Sequence, residues 1–593
     1  MIDEDLIDIS FGKKRADVLI KNGSLVNVLT GEIYTSDVAV GKGKIVATGD
    51  LSKLEANTTI NATGKYIVPG LIDSHIHVEV TKLSVTRFAE LVLPHGTTSV
   101  VTGLDQIAGV CGLDGMRSFL DEAARTNLKL FTGIAVKLPY TTPPSTVGHE
   151  LSPKEHEIAQ RWPEVVGTWE TTSDMVLGRD PEAYEAVDMA YKNRLLVHGH
   201  CPLLRGQALA AYLTVGIRSD HESITREEAL EKARNGLYVL IRETPVAPNM
   251  DEVIKIITED KINTRRVSMC IDDINVQTLV NEGHLDNLVR KAIEHGVGPI
   301  DAIQMVTINP AEAYRLDHII GSITPGKLAD ILLVDDLRKF KVEKVISSGQ
   351  LVAENGRMLR EYASPTRPEW LLKTVKVPHV EARDLAITSP YDAEQVRVIS
   401  MFVDENKNFY RHKREVILKV RDGIVQANPD ADVLYVSTVE RYTGRGERAT
   451  AFISGFGMVQ GAVATSLSPD DNNIVCIGAN LRDMASAVNR ISEIQGGQVV
   501  VKEGKIIAEL QLPIGGIVTD EPATEVKKKE EELDSAIRSL GATMRLPFMA
   551  MIFLPITAIP EYAITNKGLV ECASQKYVNP VIAPARYALR ICG

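Results

Sequence analysis

The chain has 593 residues, a formal net charge of −12 and a hydrophobic content of 44%. Its length predicts about three or four domains. Its composition is typical of a globular protein and excludes a disordered tail protein, a coiled coil and a collagen-like chain. The acidic balance argues against a nucleic-acid-binding protein, because such proteins usually carry a basic face.

The sequence also predicts a cytoplasmic protein that does not associate with a membrane. No run of about 18 apolar residues occurs, so no transmembrane helix is expected. The first residues are acidic where a signal peptide would be basic and then apolar. The six cysteines include no Cys-x-x-Cys pair, which is typical of free thiols in a reducing compartment.

Short strands separated by turns are predicted near the start of the chain and again after its middle. Residues 15–50 alternate β-rich runs with turns, and a related pattern returns at residues 326–360. Two β segments so far apart predict one small β-sandwich domain, formed by residues 1–68 and 321–365, with a larger domain inserted between its halves.

The inserted residues 69–320 alternate short apolar runs with amphipathic stretches. The predicted strands are residues 99–102, 128–135, 165–168, 195–198, 217–221, 238–241 and 267–271. The predicted helices are residues 84–93, 116–126, 181–192, 204–214 and 225–235. This α/β alternation favours a (β/α)8 TIM-like barrel over an open doubly wound sheet, since no Gly-rich fingerprint follows an early strand.

A third unit is predicted beyond a proline-containing linker near residues 365–378. Residues 375–593 contain both strand and helix patterns and indicate a C-terminal α/β or α+β domain. Its helix over residues 521–540 carries the charge run 527–532, which we interpret as a solvated face with i,i+4 ion pairs.

Histidine is distributed unevenly, because all 13 histidines lie at or before His412. His75 and His77 end an apolar run, and alternation along a strand points both side chains to one face. Similar residues follow other predicted strands of residues 69–320: Glu170, His198, His200, His221, Asp272 and Asp273. In a barrel such residues converge at one end, where four histidines and two carboxylates would suit one or two divalent ions.

The run from Pro69 to His77, Pro-Gly-Leu-Ile-Asp-Ser-His-Ile-His, resembles the opening signature of the amidohydrolase superfamily, and residues 326–331 resemble its return into the β domain. Within that superfamily the chain is similar to bacterial and archaeal adenine deaminases over nearly its whole length. The stretches that carry this resemblance are residues 75–79, 199–202, 219–222, 283–286, 496–501 and 559–561.

The resemblance implies a binuclear metal centre containing manganese, iron or zinc. The implied ligands are His75 and His77 for one ion, His200 and His221 for the other, Glu170 as the bridge, and Asp272. The implied reaction is adenine plus water to hypoxanthine plus ammonia, in which a hydroxide between the two metals attacks the ring and Asp272 moves the proton. The resemblance also implies a small heterocyclic substrate and a homodimer or larger homo-oligomer.

Glu79 is a further candidate catalytic residue because it follows the His-x-His pair by two positions. It would either hydrogen-bond or protonate the heterocycle, or orient a ligand histidine, and the sequence leaves both roles open. His198 stands where the family usually has aspartate, so it could orient His200 instead of binding metal.

Three loops near the expected substrate differ from the family pattern: residues 103–110, 135–139 and 469–473. The substrate-binding candidates are Asp105, Gln106 and Lys137 in these loops, and His198 and Asp273, which lie outside them. A changed set of polar groups changes which substrate is accepted. Two alternatives to adenine deamination follow: hydrolytic opening of a cyclic amide, lactam or imide at the same centre, and a non-catalytic metal- or purine-binding protein.

Overall fold

A computed structural model describes residues 3–585, and the outermost residues of the predicted first and last domains lie outside this range. The first elements are α1 (Glu4–Ser10), β1 (Ala16–Asn27), β2 (Glu32–Gly41), β3 (Lys44–Gly49), β4 (Ala56–Asn61) and β5 (Tyr66–Pro69). β1 pairs with β2 in antiparallel fashion and with β4 and β5 in parallel fashion. The sheet therefore branches at β1 and encloses apolar side chains such as Ile20, Leu25 and Ile67.

The next strands form the barrel. They are β6 (Leu71–Ile76), β7 (Thr97–Thr102), β8 (Lys129–Ala135), β9 (Val165–Trp169), β10 (Thr171–Thr172), β11 (Gly199–His200), β12 (Ser219–Asp220), β13 (Tyr238–Arg242) and β14 (Val267–Cys270). Paired neighbours are parallel, and a bridge between Ile76 and Asp272 joins the last strand to the first. These findings confirm the predicted α/β barrel.

Helices alternate with the barrel strands and cover them. They are α2 (Val85–Val92), α3 (Asp105–Ala123), α4 (Pro153–Ala159), α5 (Ser173–Leu177), α6 (Pro181–Lys192), α7 (Gly206–Leu213), α8 (Arg226–Arg234), α9 (Met250–Val253), α10 (Lys255–Thr258), α11 (Val276–Glu282), α12 (Leu285–Glu294), α13 (Pro299–Gln304) and α14 (Ile308–Ala313). α6 begins at its cap Asp180, whose carboxylate accepts from the backbone N–H of Glu182 and Ala183, as a helix start requires.

One predicted strand is shorter than expected. Residues 195–198 contribute only isolated bridges at Leu196 and Val197, and the regular strand β11 is Gly199–His200. His198 therefore lies before the regular strand, and its ring stacks on Tyr314 with 4.4 Å between ring centroids.

Four strands after the barrel return to the first sheet: β15 (Ile331–Val334), β16 (Val342–Ser347), β17 (Gln350–Glu354) and β18 (Arg357–Met358). β15 pairs antiparallel with β5, with Leu332 opposite Val68. The two ends of the barrel segment are thus held side by side in one nine-stranded sheet.

The C-terminal part of the described chain is built on a ten-stranded sheet. Its helices are α15 (Glu369–Leu372), α16 (Leu481–Glu493), α17 (Ala523–Ser539) and α18 (Pro547–Ile552). Its strands are β19 (Gln395–Asp404), β20 (Tyr410–Arg421), β21 (Ile424–Val425), β22 (Leu434–Val439), β23 (Arg448–Ser454), β24 (Ala462–Thr465), β25 (Ile474–Gly478), β26 (Gly497–Lys502), β27 (Lys505–Gln511), β28 (Tyr562–Thr565), β29 (Gly568–Glu571), β30 (Lys576–Val578) and β31 (Val581–Pro584). The strands β28, β29 and β30 form a separate small sheet.

The charge run on α17 is not wholly solvated, which corrects the sequence interpretation at one residue. Glu530 is buried, and its carboxylate lies 2.8 Å from the ammonium of Lys82, which is also buried. A second oxygen of Glu530 accepts from the backbone N–H of Gln277 at 2.7 Å. This carboxylate therefore joins the C-terminal domain to the barrel.

The sequence predicted that the chain has no transmembrane helix and that its cysteines are free thiols. No helix within residues 3–585 is both long and apolar enough to cross a membrane. The five cysteines in the same residues are free, and Cys592 lies outside them.

Candidate metal centre and active-site cavity

Six predicted site residues meet at the carboxyl ends of the barrel strands. His75 and His77 come from the end of β6, Glu170 follows β9, His200 ends β11, His221 follows β12, and Asp272 follows β14. Because these strands are parallel, their carboxyl ends lie at one face of the barrel, which is the usual position of an active site in this architecture.

Glu170 is the centre of this cluster. Its Oε1 lies 3.1 Å from Nε2 of His75, 3.0 Å from Nε2 of His77 and 3.6 Å from Nε2 of His221. Its Oε2 lies 3.6 Å from Nδ1 of His200. One carboxylate therefore faces four imidazoles.

Asp272 lies beside the same imidazoles and is fixed from two directions. Its Oδ1 is 3.6 Å from Nε2 of His75 and 3.5 Å from Nε2 of His77. Its backbone N–H donates to the carbonyl of His75 at 2.9 Å. Arg242, at the end of β13, donates from Nη1 to Oδ2 of Asp272 at 2.6 Å and also contacts Glu222.

The donor atoms fit divalent metal ions. Three groups of side chains bring their ligand atoms within 4.8 Å of one another: His75, Glu170, His221 and Asp272; His200, His221 and Glu222; and His77, Asp272 and Asp273. Nδ1 of His200 is buried without a hydrogen-bond partner in the described part of the chain. Imidazole nitrogens and carboxylate oxygens together are ligand atoms that zinc, manganese and iron bind.

The charges of the cluster are mutually stabilising. Burial alone would raise the pKa of Glu170, but the facing rings of His75 and His77 hold it well below its usual range. Burial likewise opposes the charge of His77, yet Asp105 and Glu170 hold its pKa well above the ordinary histidine value. The centre therefore keeps Glu170 ionised, as a ligand carboxylate must be.

A cavity lies over the cluster and is lined by residues of both the barrel and the C-terminal domain. The barrel contributes five of the six ligand-type residues, His77, Glu170, His200, His221 and Asp272, together with Gln106, Asp273 and Tyr140. The C-terminal domain contributes Tyr410, Asp470 and the segment 553–560. Apolar surface with a few converging polar groups is typical of a site for a small heterocycle.

Glu79 and Asp105 lie close to the cluster but do not line the cavity. Asp105 Oδ1 is 3.3 Å from Nδ1 of His77. Glu79 accepts from the backbone N–H of Ile107 at 3.3 Å, and burial together with the charge of Asp105 raises the pKa of Glu79 to about 7. Because neither Glu79 nor Asp105 lines the cavity, a role in orienting His77 is favoured for both residues over direct contact with a bound ligand.

Lys137 and His198 are not brought to the cavity. The ammonium of Lys137 lies 2.8 Å from Asp180, the cap of α6. Nδ1 of His198 lies 2.8 Å from the hydroxyl oxygen of Ser219, and burial lowers the pKa of His198 to about 3. His198 thus packs below the cluster as a neutral ring.

Sequence reasoning missed several cavity residues: Tyr140, Glu222, Arg242, Asn408, Tyr410 and Asp470. Arg242 had a local signal, because it ends a predicted barrel strand as the metal-ligand candidates do. Asp470 had a weaker one, its place in the divergent run 469–473. Glu222 had the same kind of signal, because it follows the predicted strand 217–221 directly after His221. Tyr140 lies after β8 of the barrel, and Asn408 and Tyr410 come from the C-terminal part of the chain.

The sequence matches two family models. Residues 66–352 match the amidohydrolase family, and residues 408–576 match the adenine deaminase C-terminal domain. The first match spans the barrel with the adjoining strands β5, β15 and β16, and the second spans most of the ten-stranded sheet.

Similarity to named relatives extends over nearly the whole chain. "Adenine deaminase 4" of Rhizobium meliloti is 46% identical over 575 residues, which are 96% of each chain. "Adenine deaminase 1" of Desulfotalea psychrophila is 44% identical over 583 residues, which are 98% of each chain. Among solved structures, a beta-aspartyl dipeptidase from Fervidobacterium islandicum is 20% identical with a TM-score of 0.44, covering 58% of this chain and 98% of that one.

Proposed function

The chain belongs to the adenine deaminase family, and on that premise we propose that it converts adenine and water to hypoxanthine and ammonia. The observation that carries the proposal is the carboxylate of Glu170 facing four imidazoles in a cavity that the barrel and the C-terminal domain both line. Relatives of the same length carry the name adenine deaminase.

Each part of the chain has a role in this proposal. Residues 69–320 form the hydrolase barrel, residues 1–68 with 321–365 form the small β domain beside it, and residues 375–593 form the domain that covers the site. The continuous pairing of β5 with β15 supports this division, because it separates the barrel from its flanking sheet.

The expected cofactor is a pair of manganese, iron or zinc ions. Six side chains would hold them: His75, His77, Glu170, His200, His221 and Asp272. When bound, such ions lower the pKa of water and stabilise the charge that develops on the attacked group. Metal analysis of the purified protein should give two ions per chain.

Asp272 is the proposed proton carrier. Arg242 holds its Oδ2 at 2.6 Å, so its Oδ1 remains directed toward the imidazole cluster. There Asp272 can accept a proton from water and deliver it to the leaving amino nitrogen, which departs as ammonia.

Gln106 and Asp273 are the proposed substrate contacts among the barrel residues, since both line the cavity. The side-chain amide of Gln106 donates one hydrogen to Asp105 at 2.8 Å and accepts from Asn472 at 2.7 Å. Its second N–H is free to donate to a ring nitrogen. Glu79 acts through Asp105 and His77, as a positioning group.

The test is an assay of protein loaded with manganese, iron or zinc. Adenine should disappear with equal amounts of hypoxanthine and ammonia formed, and D272N loaded in the same way should be the slow control. Turnover of a cyclic amide, lactam or imide without ammonia from adenine would favour ring opening instead. Binding of adenine without turnover of any heterocycle would favour the non-catalytic alternative.

We also expect a homodimer or larger assembly in the cytoplasm. The basis is the family resemblance and the reducing-compartment pattern of the cysteines. Light scattering coupled to size-exclusion chromatography would give the mass directly.

A further inference from the structure

One carboxylate of the C-terminal domain is presented to the cavity without a partner. Asp470 lines the cavity, and within residues 3–585 its carboxylate forms no hydrogen bond or ion pair. In the next residue, Oδ1 of Asp471 accepts from the backbone N–H of Asn473, and Tyr442 donates to the carbonyl of Asp471. The carboxylate of Asp470 has no such contact and is left for a ligand.

The loop that carries Asp470 is held by a buried guanidinium. Arg441 has no solvent exposure and donates to the carbonyls of Asn472 at 2.5 Å and Gly515 at 3.1 Å. A side chain at Gly516 would put its Cβ 2.0 Å from Nη1 of Arg441, and the φ of Gly516 is +72°. Only glycine fits there, so the turn is shaped around Arg441.

The same loop is tied to the barrel. The side-chain amide of Asn472 donates to Oε1 of Gln106 at 2.7 Å, and that of Asn473 donates to the carbonyl of Thr146 at 2.9 Å. Asp470 is therefore fixed with respect to the barrel, and fixed geometry is what a ligand-reading side chain needs.

The surroundings of Asp470 favour a neutral carboxylic acid. Burial is the first cause that raises the pKa of Asp470 well above its usual range. A protonated carboxyl group donates one hydrogen bond through its O–H and accepts another through its carbonyl oxygen. It therefore matches an amidine-type edge, where a ring nitrogen accepts and a neighbouring N–H donates.

We propose that Asp470 binds the N3/N9–H edge of the substrate adenine through two hydrogen bonds and so restricts the enzyme to bases unsubstituted at N9. This inference rests on the proposed function. The reacting carbon C6 must face Asp272 and the imidazole cluster of the barrel. N3 lies opposite C6 across the six-membered ring, so the N3/N9–H edge faces the covering domain.

The experiment compares adenine with 9-methyladenine as substrates of the metal-loaded wild type, D470A, D470N and D430A. Asp430 is an exposed aspartate of the same domain, so D430A should behave as wild type. In D470A, KM for adenine should rise about tenfold or more, with a smaller change in kcat, since the paired groups of the base lose their partner. D470N should fall within about threefold of wild type, because an amide also donates and accepts.

The methylated base gives an independent measurement that needs no variant. Wild-type kcat/KM for 9-methyladenine should be about 100-fold or more below that for adenine, and D470A should narrow this ratio, because the discriminating contact is absent. Equal use of both bases by wild type would overturn the proposal, as would a D470A effect of the same size on both bases. An active wild type with unchanged D470A would overturn only the Asp470 assignment, whereas no ammonia from adenine with wild type would overturn the proposed function as well.

Discussion

Arg242 Nη1 lies 2.6 Å from Oδ2 of Asp272, and the same guanidinium contacts both carboxylate oxygens of Glu222. The guanidinium is thus shared between the proposed proton carrier and a neighbouring acid. A planar group that bridges two carboxylates fixes their orientation as well as balancing their charge.

Replacing Arg242 should therefore impair catalysis without removing the metal ligands. R242Q should lower kcat by about 100-fold while metal content changes little, because a misplaced general base or acid costs roughly that factor. R242K keeps the charge without the planar fork and should recover only part of the rate. Steady-state kinetics with metal analysis measure both, and wild-type kcat in R242Q would contradict the positioning role.

Removing the proposed proton carrier should have a larger effect. D272N preserves the shape of the side chain but cannot accept the proton, so kcat should fall by about 100- to 10,000-fold with metal content near normal. The exposed E227Q substitution on α8 is the matched control. Activity of D272N within a few-fold of wild type would contradict the mechanism.

Glu170 should instead control metal occupancy. E170Q loses the negative charge that faces four imidazoles, so the number of bound ions per chain should fall, because a neutral amide is a weaker ligand than a carboxylate. Elemental analysis after dialysis compares the metal content of E170Q with that of D272N. It distinguishes a variant that loses its metal ions from one that keeps them and loses only catalytic rate. Full occupancy in E170Q would rule out its role as the bridging ligand.

Lys232 is predicted to stabilise the loops that carry two of the histidines. Its ammonium is fully buried and lies 2.8 Å from Asp220 and 2.6 Å from Glu228, and it donates to the carbonyl of Cys201 at 2.8 Å. K232M should lower the free energy of unfolding by about 3–5 kcal/mol, because two buried carboxylates lose their countercharge.

The control for Lys232 neutralises the whole cluster. K232M combined with D220N and E228Q should recover part of the stability lost in K232M alone, since no unpaired charge then remains buried. Urea unfolding curves followed by circular dichroism give the comparison. If K232M alone is as stable as wild type, the ion cluster contributes little to the free energy of unfolding.

His156 should make the protein less stable in mild acid. It is buried on α4, and burial lowers its pKa to about 4 although Glu155 opposes this. In the unfolded chain, this histidine binds a proton near its ordinary pKa of about 6.5. The contribution of the neutral, buried His156 to the free energy of unfolding is therefore fully present above about pH 6.5, and it is lost progressively as the pH falls to about 4. The loss amounts to about 3 kcal/mol over this range.

The variant H156L removes the titrating group and suits the apolar surroundings. Its melting temperature should fall less than that of wild type between pH 7 and pH 4.5, measured by calorimetry. Parallel pH dependence of the two proteins would mean that other groups dominate the acid response.

Local sequence pattern predicted the cluster of candidate metal ligands because each of them ends or follows a parallel strand. The alternation rule correctly placed His75 and His77 together, since β6 is regular up to Ile76. The sequence also placed His198 and His200 after a predicted strand at 195–198, but the regular strand there is only Gly199–His200, and His198 packs on Tyr314.

The remaining differences come from long-range packing. Lys137 is drawn to Asp180, whose position depends on where α6 begins. Glu530 is buried because Lys82 of the barrel lies against α17. Asp470 enters the cavity from a domain that follows the barrel by many residues, and no periodic pattern within residues 469–473 records that docking.

The pairing of β5 with β15 has a consequence for the order of folding during synthesis. Pro69 and Ile331 lie opposite each other in the sheet, yet about 260 residues separate them along the chain. At a translation rate of about 5–20 residues per second, β5 waits on the order of 10 to 50 seconds for its partner. During this interval the exposed edge of β5 is open to wrong pairing. Chaperone demand should therefore be greatest while the barrel is being translated, before the second half of the sheet has left the ribosome.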